Sequence, residues 1–135
     1  MKKIVLLVIA LMMVVSVAFA EDITNANLKD LKGHWVGILS FQIGTTCPAE
    51  LTILNDTQPV KAKFTITMLP DQLAQQIGAK GDRNDVSNDE GKITTQGSLM
   101  FAGNKNFMEF ELKGNKLLGW FYYNGARGDI MMRKK

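Results

Sequence analysis

Three turns in the last third of this chain constrain it most, because together they dictate which face every nearby side chain takes. Asn124-Gly125 is the strongest kind of two-residue hairpin signal, Gly114-Asn115 is one of the glycine-first kind, and residues 103–106 (GNKN) make a slightly longer turn. The loop at Gly114-Asn115 pairs Lys113 with Lys116, and hence Leu112 with Leu117, Phe110 with Gly119 and Met108 with Phe121. The loop at Asn124-Gly125 pairs Tyr123 with Ala126, Phe121 with Gly128, Gly119 with Ile130 and Leu117 with Met132. The upstream turn pairs Phe101 with Met108, Leu99 with Phe110 and Gly97 with Leu112. All three registers send Leu99, Phe101, Met108, Phe110, Leu112, Leu117, Phe121, Tyr123, Ile130 and Met132 to one face, and a slip of one residue at any turn scatters them. The consequence is an antiparallel meander with one dry face.

The opposite face carries Glu109, Glu111, Lys116, Arg127, Asp129 and Arg133, as a solvated wall should. It also carries Phe107, Leu118, Trp120, Tyr122 and Met131, which such a wall does not need. The same registers set Trp120 opposite Glu109 and Asp129, and Tyr122 opposite Phe107 and Arg127. Either another segment covers these rings or they form an exposed patch.

Upstream, the period of two continues. Residues 34–42 (HWVGILSFQ) place Trp35, Gly37, Leu39 and Phe41 on one face, and residues 49–54 (AELTIL) make a shorter strand. Residues 60–68 (VKAKFTITM) alternate most cleanly, with Ala62, Phe64, Ile66 and Met68 dry and Lys61, Lys63, Thr65 and Thr67 wet. Before them, residues 25–32 (NANLKDLK) suit a single helical turn ended by Gly33. Residues 69–91 break the pattern. Leu73 and Ile77, spaced i, i+4, predict a short helix over residues 71–79, and residues 78–91 read as a polar loop with three glycines. Long loops in compact domains are commonly functional or mobile, so this segment is expected to be the scaffold's functional variable. A Gly-Ser turn in place of residues 80–90 is expected to leave the fold intact and to weaken binding.

The first 20 residues read as a secretory signal peptide. Met1-Lys2-Lys3 is basic, residues 4–15 are unbroken apolar chain, and Ala18-Phe19-Ala20 is a small-x-small cleavage site. That apolar run is too short to span a bilayer. Cleavage after Ala20 leaves 115 of the 135 residues as one domain, residues 21–135, and localises it to the periplasm or outside the cell. It also removes two of the 16 lysines and arginines, so 14 basic residues face 13 acidic ones, for a net charge of +1. Nothing in that balance is a footprint for nucleic acid. Cys47 is the only cysteine, which excludes an internal disulfide, and Glu21 follows the cleavage site, which excludes a lipid anchor through an N-terminal cysteine. Cys47 itself reads as a small, partly buried hydrophobe.

The residues argue against catalysis. His34 and Cys47 are the sole candidates for a dyad, but a hairpin turning near Gly44 sets Cys47 beside Gln42 or Ile43, about 25 Å from His34 at about 3.3 Å per residue. Asp85-x-Ser87-x-Asp89 resembles the start of a calcium loop, yet Glu90 stands where the turn glycine belongs and Gln96 where the bidentate acid belongs. Glu109 and Glu111 read as surface residues. No glycine-rich phosphate cradle is present. No enzyme activity, metal or cofactor is expected.

The helical turn, then Gly33-x-Trp35 on the first strand, then a meander, resembles the lipocalins and the wider calycin-type barrels. That resemblance implies a tryptophan closing one end of the barrel and an arginine near the last strand packed across it, here Arg133 or Arg127. Without the family, the same architecture follows from strands that each have one apolar face and must hide their edges. The expected fold is therefore all-β: an antiparallel up-and-down meander closing into a barrel of seven or eight strands, with a short N-terminal helical turn and one short inserted helix. The expected function is binding. In one version Phe41, Phe64, Met68, Phe101, Met108, Phe110, Phe121 and Tyr123 hold a small apolar ligand in or at the mouth of the barrel. In the other, Phe107, Trp120, Tyr122 and Arg127 on the outside meet an exported protein partner, in the manner of an inhibitor or immunity protein.

Overall fold

A computed structural model describes residues 20–77, 85–102, 106–123 and 125–135. The body of the expected signal peptide (residues 1–19), residues 78–84, the turn at residues 103–105 and Asn124 lie outside the described residues. A one-turn helix α1 (Leu28–Leu31) leads into β1 (Gly33–Phe41), β2 (Thr46–Ile53) and β3 (Val60–Ile66). Helix α2 (Asp71–Ile77) follows, and then β4 (Asp85–Ile93), β5 (Leu99–Ala102), β6 (Asn106–Lys113), β7 (Lys116–Tyr123) and β8 (Ala126–Lys134). Each strand pairs antiparallel with the next, and β8 returns to β1, so the sheet closes as an eight-stranded barrel. Lipocalin-like barrels share this kind of closure, and the fold is compatible with the calycin type.

The meander has the registers that its turns dictate. Leu112 faces Leu117, Met108 faces Phe121, Phe121 faces Gly128 and Leu99 faces Phe110. One expected pair is absent. Gly97 does not meet Leu112, because the segment before α1 runs between them: the Glu21 amide donates to the Leu112 carbonyl and the Ile23 amide to the Gly97 carbonyl, both at 2.8 Å.

Upstream, three expectations need correction. Strand β2 starts three residues earlier than residue 49 and includes Pro48. Proline is tolerated there because its carbonyl accepts from Thr67 at 3.1 Å, so its nitrogen also faces the β3 side, just beyond the last described β2–β3 pair, Ala49 with Ile66. Met68 is not on the dry face. The ladder ends at Thr67, Met68 takes a φ of 57°, and its side chain is 66% exposed, while Leu69 turns in and is buried. Finally, residues 85–91 of the expected loop belong to strand β4, which pairs with β3 from Val60–Gly91 to Ile66–Asp85 and with β5 through Gly91, Lys92 and Ile93. Replacing residues 80–90 would therefore remove barrel wall, and the expectation that the fold survives is wrong.

Helical segments of the chain pack at both ends of the barrel. At the end that holds the β6–β7 turn, Ile23, Leu28, Leu31 and Trp35 are buried, and the Trp35 indole N–H donates to the Leu31 carbonyl at 2.8 Å. Lys134 Nζ reaches the Asp30 carbonyl at 2.6 Å, and Gln58 joins the β2–β3 loop to Asn25 and to the Ile93 amide. At the other end, α2 turns Leu73 and Ala74 inward. The core between them is continuous, with Leu39, Cys47, Leu51, Phe101, Phe110, Leu117 and Met132 each at most 2% exposed.

A barrel this narrow brings backbones close where strands bend most. A Cβ on Gly37 would lie 1.8 Å from the Met131 carbonyl oxygen, and one on Gly119 would lie 2.1 Å from that of Glu109. These glycines are requirements of closure, since neither obstructing atom is a movable side chain. Gly37→Ala is expected to cost about 3 kcal/mol or more in urea unfolding, the upper range for overpacking. Gly44→Ala, where a Cβ meets nothing within 4 Å but φ is 91°, should cost only about 1–2 kcal/mol. Equal costs at the two sites would refute the closure role of Gly37.

Candidate functional site

The first candidate is the mouth of the barrel at the α2 end. Strand β5 has four residues and pairs with only the last part of β4, so among the described pairs residues 85–90 are bonded to β3 alone. Between these residues and β6 lies a cavity of about 20 Å³ lined by Phe64, Ile66, Ser87, Asp89, Asn106, Met108, Phe121, Tyr122 and Tyr123. That volume holds about one water. Of the expected ligand residues, Phe64, Met108, Phe121 and Tyr123 meet here. Phe41 packs edge-on against Phe121 at 5.2 Å, Phe101 and Phe110 pack edge-on against each other at 6.2 Å, and Met68 is outside. The interior is thus a filled core, as eight strands allow, and not an open ligand chamber.

Two polar residues at the mouth were not recognised in the sequence as part of this site. Ser87 pairs with Phe64 and Asp89 with Ala62, so both share the inward face of β4 with those buried neighbours. Ser87 Oγ donates to Asp89 Oδ2 at 2.7 Å, and both side chains are half-buried. Reading residues 85–93 with a period of two would have aligned Ser87, Asp89, Gly91 and Ile93. Their polarity hid the strand.

The second candidate is the outer wall of β6, β7 and β8, where all four expected partner-binding residues come together. Phe107 stacks on Trp120 with ring centroids 4.7 Å apart and planes tilted by 30°, and the Arg127 guanidinium lies 5.5 Å from the Trp120 ring. Tyr122 pairs with both Phe107 and Arg127 and is 46% exposed. Glu109, expected to be an ordinary surface acid, anchors this cluster. One of its oxygens accepts from the Trp120 indole N–H at 3.1 Å and the other from Ser98 Oγ at 2.9 Å. Because Ser98 spends its proton on Glu109, the 2.6 Å contact to Thr94 Oγ1 is donated by Thr94. A hydrogen-bonded chain thus holds the indole from beneath. Met131 and Ile38, directly paired and 41% and 42% exposed, extend the apolar surface toward β1. Beside Trp120, a groove of about 510 Å³ runs along Ser40, Gln42, Arg127 and Asp129. Helix α2 lies at the barrel end, against Phe41 and Ala126, and among the described residues nothing covers Tyr122 or Met131.

The remaining chemical candidates separate. His34 Nδ1 sits 3.0 Å from Thr52 Oγ1, and its Nε2 is 3.7 Å from Glu50, all on the outer wall. Cys47 pairs with Leu39, nearer to His34 than the turn predicted, but it faces the core and is 1% exposed. Neither arginine packs on Trp35. Arg127 lies over Trp120, and Arg133 is exposed on the outer face opposite Val36 and Lys116. The strand partner of Trp35 is Lys134. Among the described residues no group of three or more histidine, cysteine or acidic side chains is set to hold a metal. No protein-family model, curated protein or solved structure matches this chain significantly.

Two expectations follow from these burials. Burial pushes the Cys47 thiol above its usual range because desolvation disfavours the thiolate. That stabilisation of the neutral form is present below the usual thiol range and is lost as pH rises through the raised pKa. Native protein at pH 8 should leave Cys47 unmodified by a thiol reagent and react fully in denaturant, and fast native labelling would contradict its burial. Acrylamide should quench two tryptophan populations, Trp120 readily and Trp35 hardly at all. Two equally protected indoles would mean that the outer patch is covered.

Proposed function

We propose that this protein is an exported, non-enzymatic binding protein that meets a protein partner through the outer wall around Trp120. The carrying observation is the preorganised cluster itself: Trp120 held by Glu109, sandwiched between Phe107 and Arg127, with Tyr122 exposed beside it. Tryptophan, tyrosine and arginine dominate interface energetics, and an indole already locked in place loses little freedom on binding. The filled interior supports the same choice, since a cavity of about 20 Å³ has no room for a lipid-sized ligand. Export is supported by the leader-like residues 1–20.

A second reading keeps a small ligand at the mouth. It is favoured by the gathering of Phe64, Met108, Phe121 and Tyr123 around the cavity beside Asp89. There the ligand would insert a small group and leave the rest of itself outside.

The partner reading predicts that mature protein captures a specific protein from an extract of the export compartment, and that Trp120→Ala and Arg127→Glu each abolish capture while the melting curve holds. Trp120→Ala is expected to weaken the complex by about 2 kcal/mol or more, the range of an interface anchor. Capture that is indifferent to both substitutions would refute this role of the outer wall.

A further inference from the structure

We infer that the mouth of the barrel is a site for a primary ammonium group carried on an unbranched apolar stem. This deepens the mouth reading and is independent of the outer wall. The inward face of the barrel is apolar almost throughout, yet Asp89 projects into it from β4, level with Ala62. One of its oxygens accepts from Ser87, and among the described residues no basic side chain pairs with it. A half-buried carboxylate in apolar surroundings is normally matched by a cation. Here the space beside it belongs to a cavity lined by Phe64, Phe121, Tyr123 and the Met108 side chain, surfaces that attract a cation through ring faces and accept its alkyl stem.

Size and shape then select the cation. The cavity of about 20 Å³ holds a group the size of one water, which an –NH₃⁺ head matches and a trimethylated nitrogen exceeds. Three donors on that head suit the open Asp89 oxygen and the polar rim at Asn106, and the half-exposure of Ser87, Asp89 and Asn106 leaves the stem a way out. An anion would meet the carboxylate, and a neutral alcohol would forfeit the charge-assisted bond.

The test is a titration of the mature protein with n-butylammonium, followed by backbone amide chemical shifts, with n-butanol and tetramethylammonium as comparison probes. Butylammonium is expected to give saturable shifts centred on Phe64, Ser87, Asp89 and Met108, with n-butanol at least ~10-fold weaker and tetramethylammonium excluded. Asp89→Asn should reduce the amine to the level of the alcohol, and Ser87→Ala, which keeps the charge, should weaken it only a few-fold. Equal binding of amine and alcohol would overturn the ammonium assignment and leave an apolar mouth site. No saturable binding of either, or shifts scattered over the acidic surface, would overturn the mouth reading as well. The probe comparison on unsubstituted protein decides the matter even if Asp89→Asn fails to fold.

Discussion

Closure of the sheet is the constraint on which the rest depends. Eight short strands, most with one apolar face, hide their edges by closing into a barrel in which β8 pairs with β1. Closing so small a circumference forces sharp bends, and the chain meets them with Gly37 and Gly119 at points where a Cβ would strike a neighbouring strand's carbonyl. The same tightness fills the interior. Phenylalanines 41, 64, 101, 110 and 121 converge from five strands and are all buried, with Phe41–Phe121 and Phe101–Phe110 packed edge-on. A barrel closed in this way offers its surroundings two things: its outer wall and its mouth.

The two candidate sites differ in how the fold supports them. On the wall, Trp120 is fixed by a chain of hydrogen bonds from Thr94 through Ser98 and Glu109, so the β4–β5 turn sets the angle of a half-buried ring on β7. At the mouth, the short β5 is decisive. Among the described pairs it meets β4 only through Gly91, Lys92 and Ile93, so residues 85–90 are bonded to β3 alone. Asp89 lies in that stretch, on a face that is otherwise largely apolar, and is half-buried.

The C-terminal meander was legible because its turns specify register by backbone chemistry, and Gly114-Asn115 and Asn124-Gly125 leave little choice. The outer cluster followed from those registers, since Trp120, Tyr122, Phe107 and Arg127 cannot be neighbours in any other frame. Strand β4 was not legible. Its inward positions include Ser87, Asp89 and Gly91, so it lacks the alternation that marks a strand, and it is held instead by the free ladder groups of β3 and β5. Met68 misled for the opposite reason: it continues the alternation of β3, but the strand ends at Ile66 and Met68 turns out through a positive φ. The early start of β2 was masked by Pro48, whose missing donor costs nothing beyond the last β2–β3 pair. No sequence pattern announced that Glu21 and Ile23 would lie between Gly97 and Leu112, because that contact joins residues far apart in the chain.

The central claim is that the barrel is filled and that binding takes place at its surfaces. Native mass spectrometry of the protein purified from the exporting cell tests this most directly. The account predicts a chain beginning at Glu21 with no lipid-sized small molecule retained under gentle ionisation. A stoichiometric apolar adduct, released only by collisional activation, would mean that the interior opens to hold a ligand, and would contradict it.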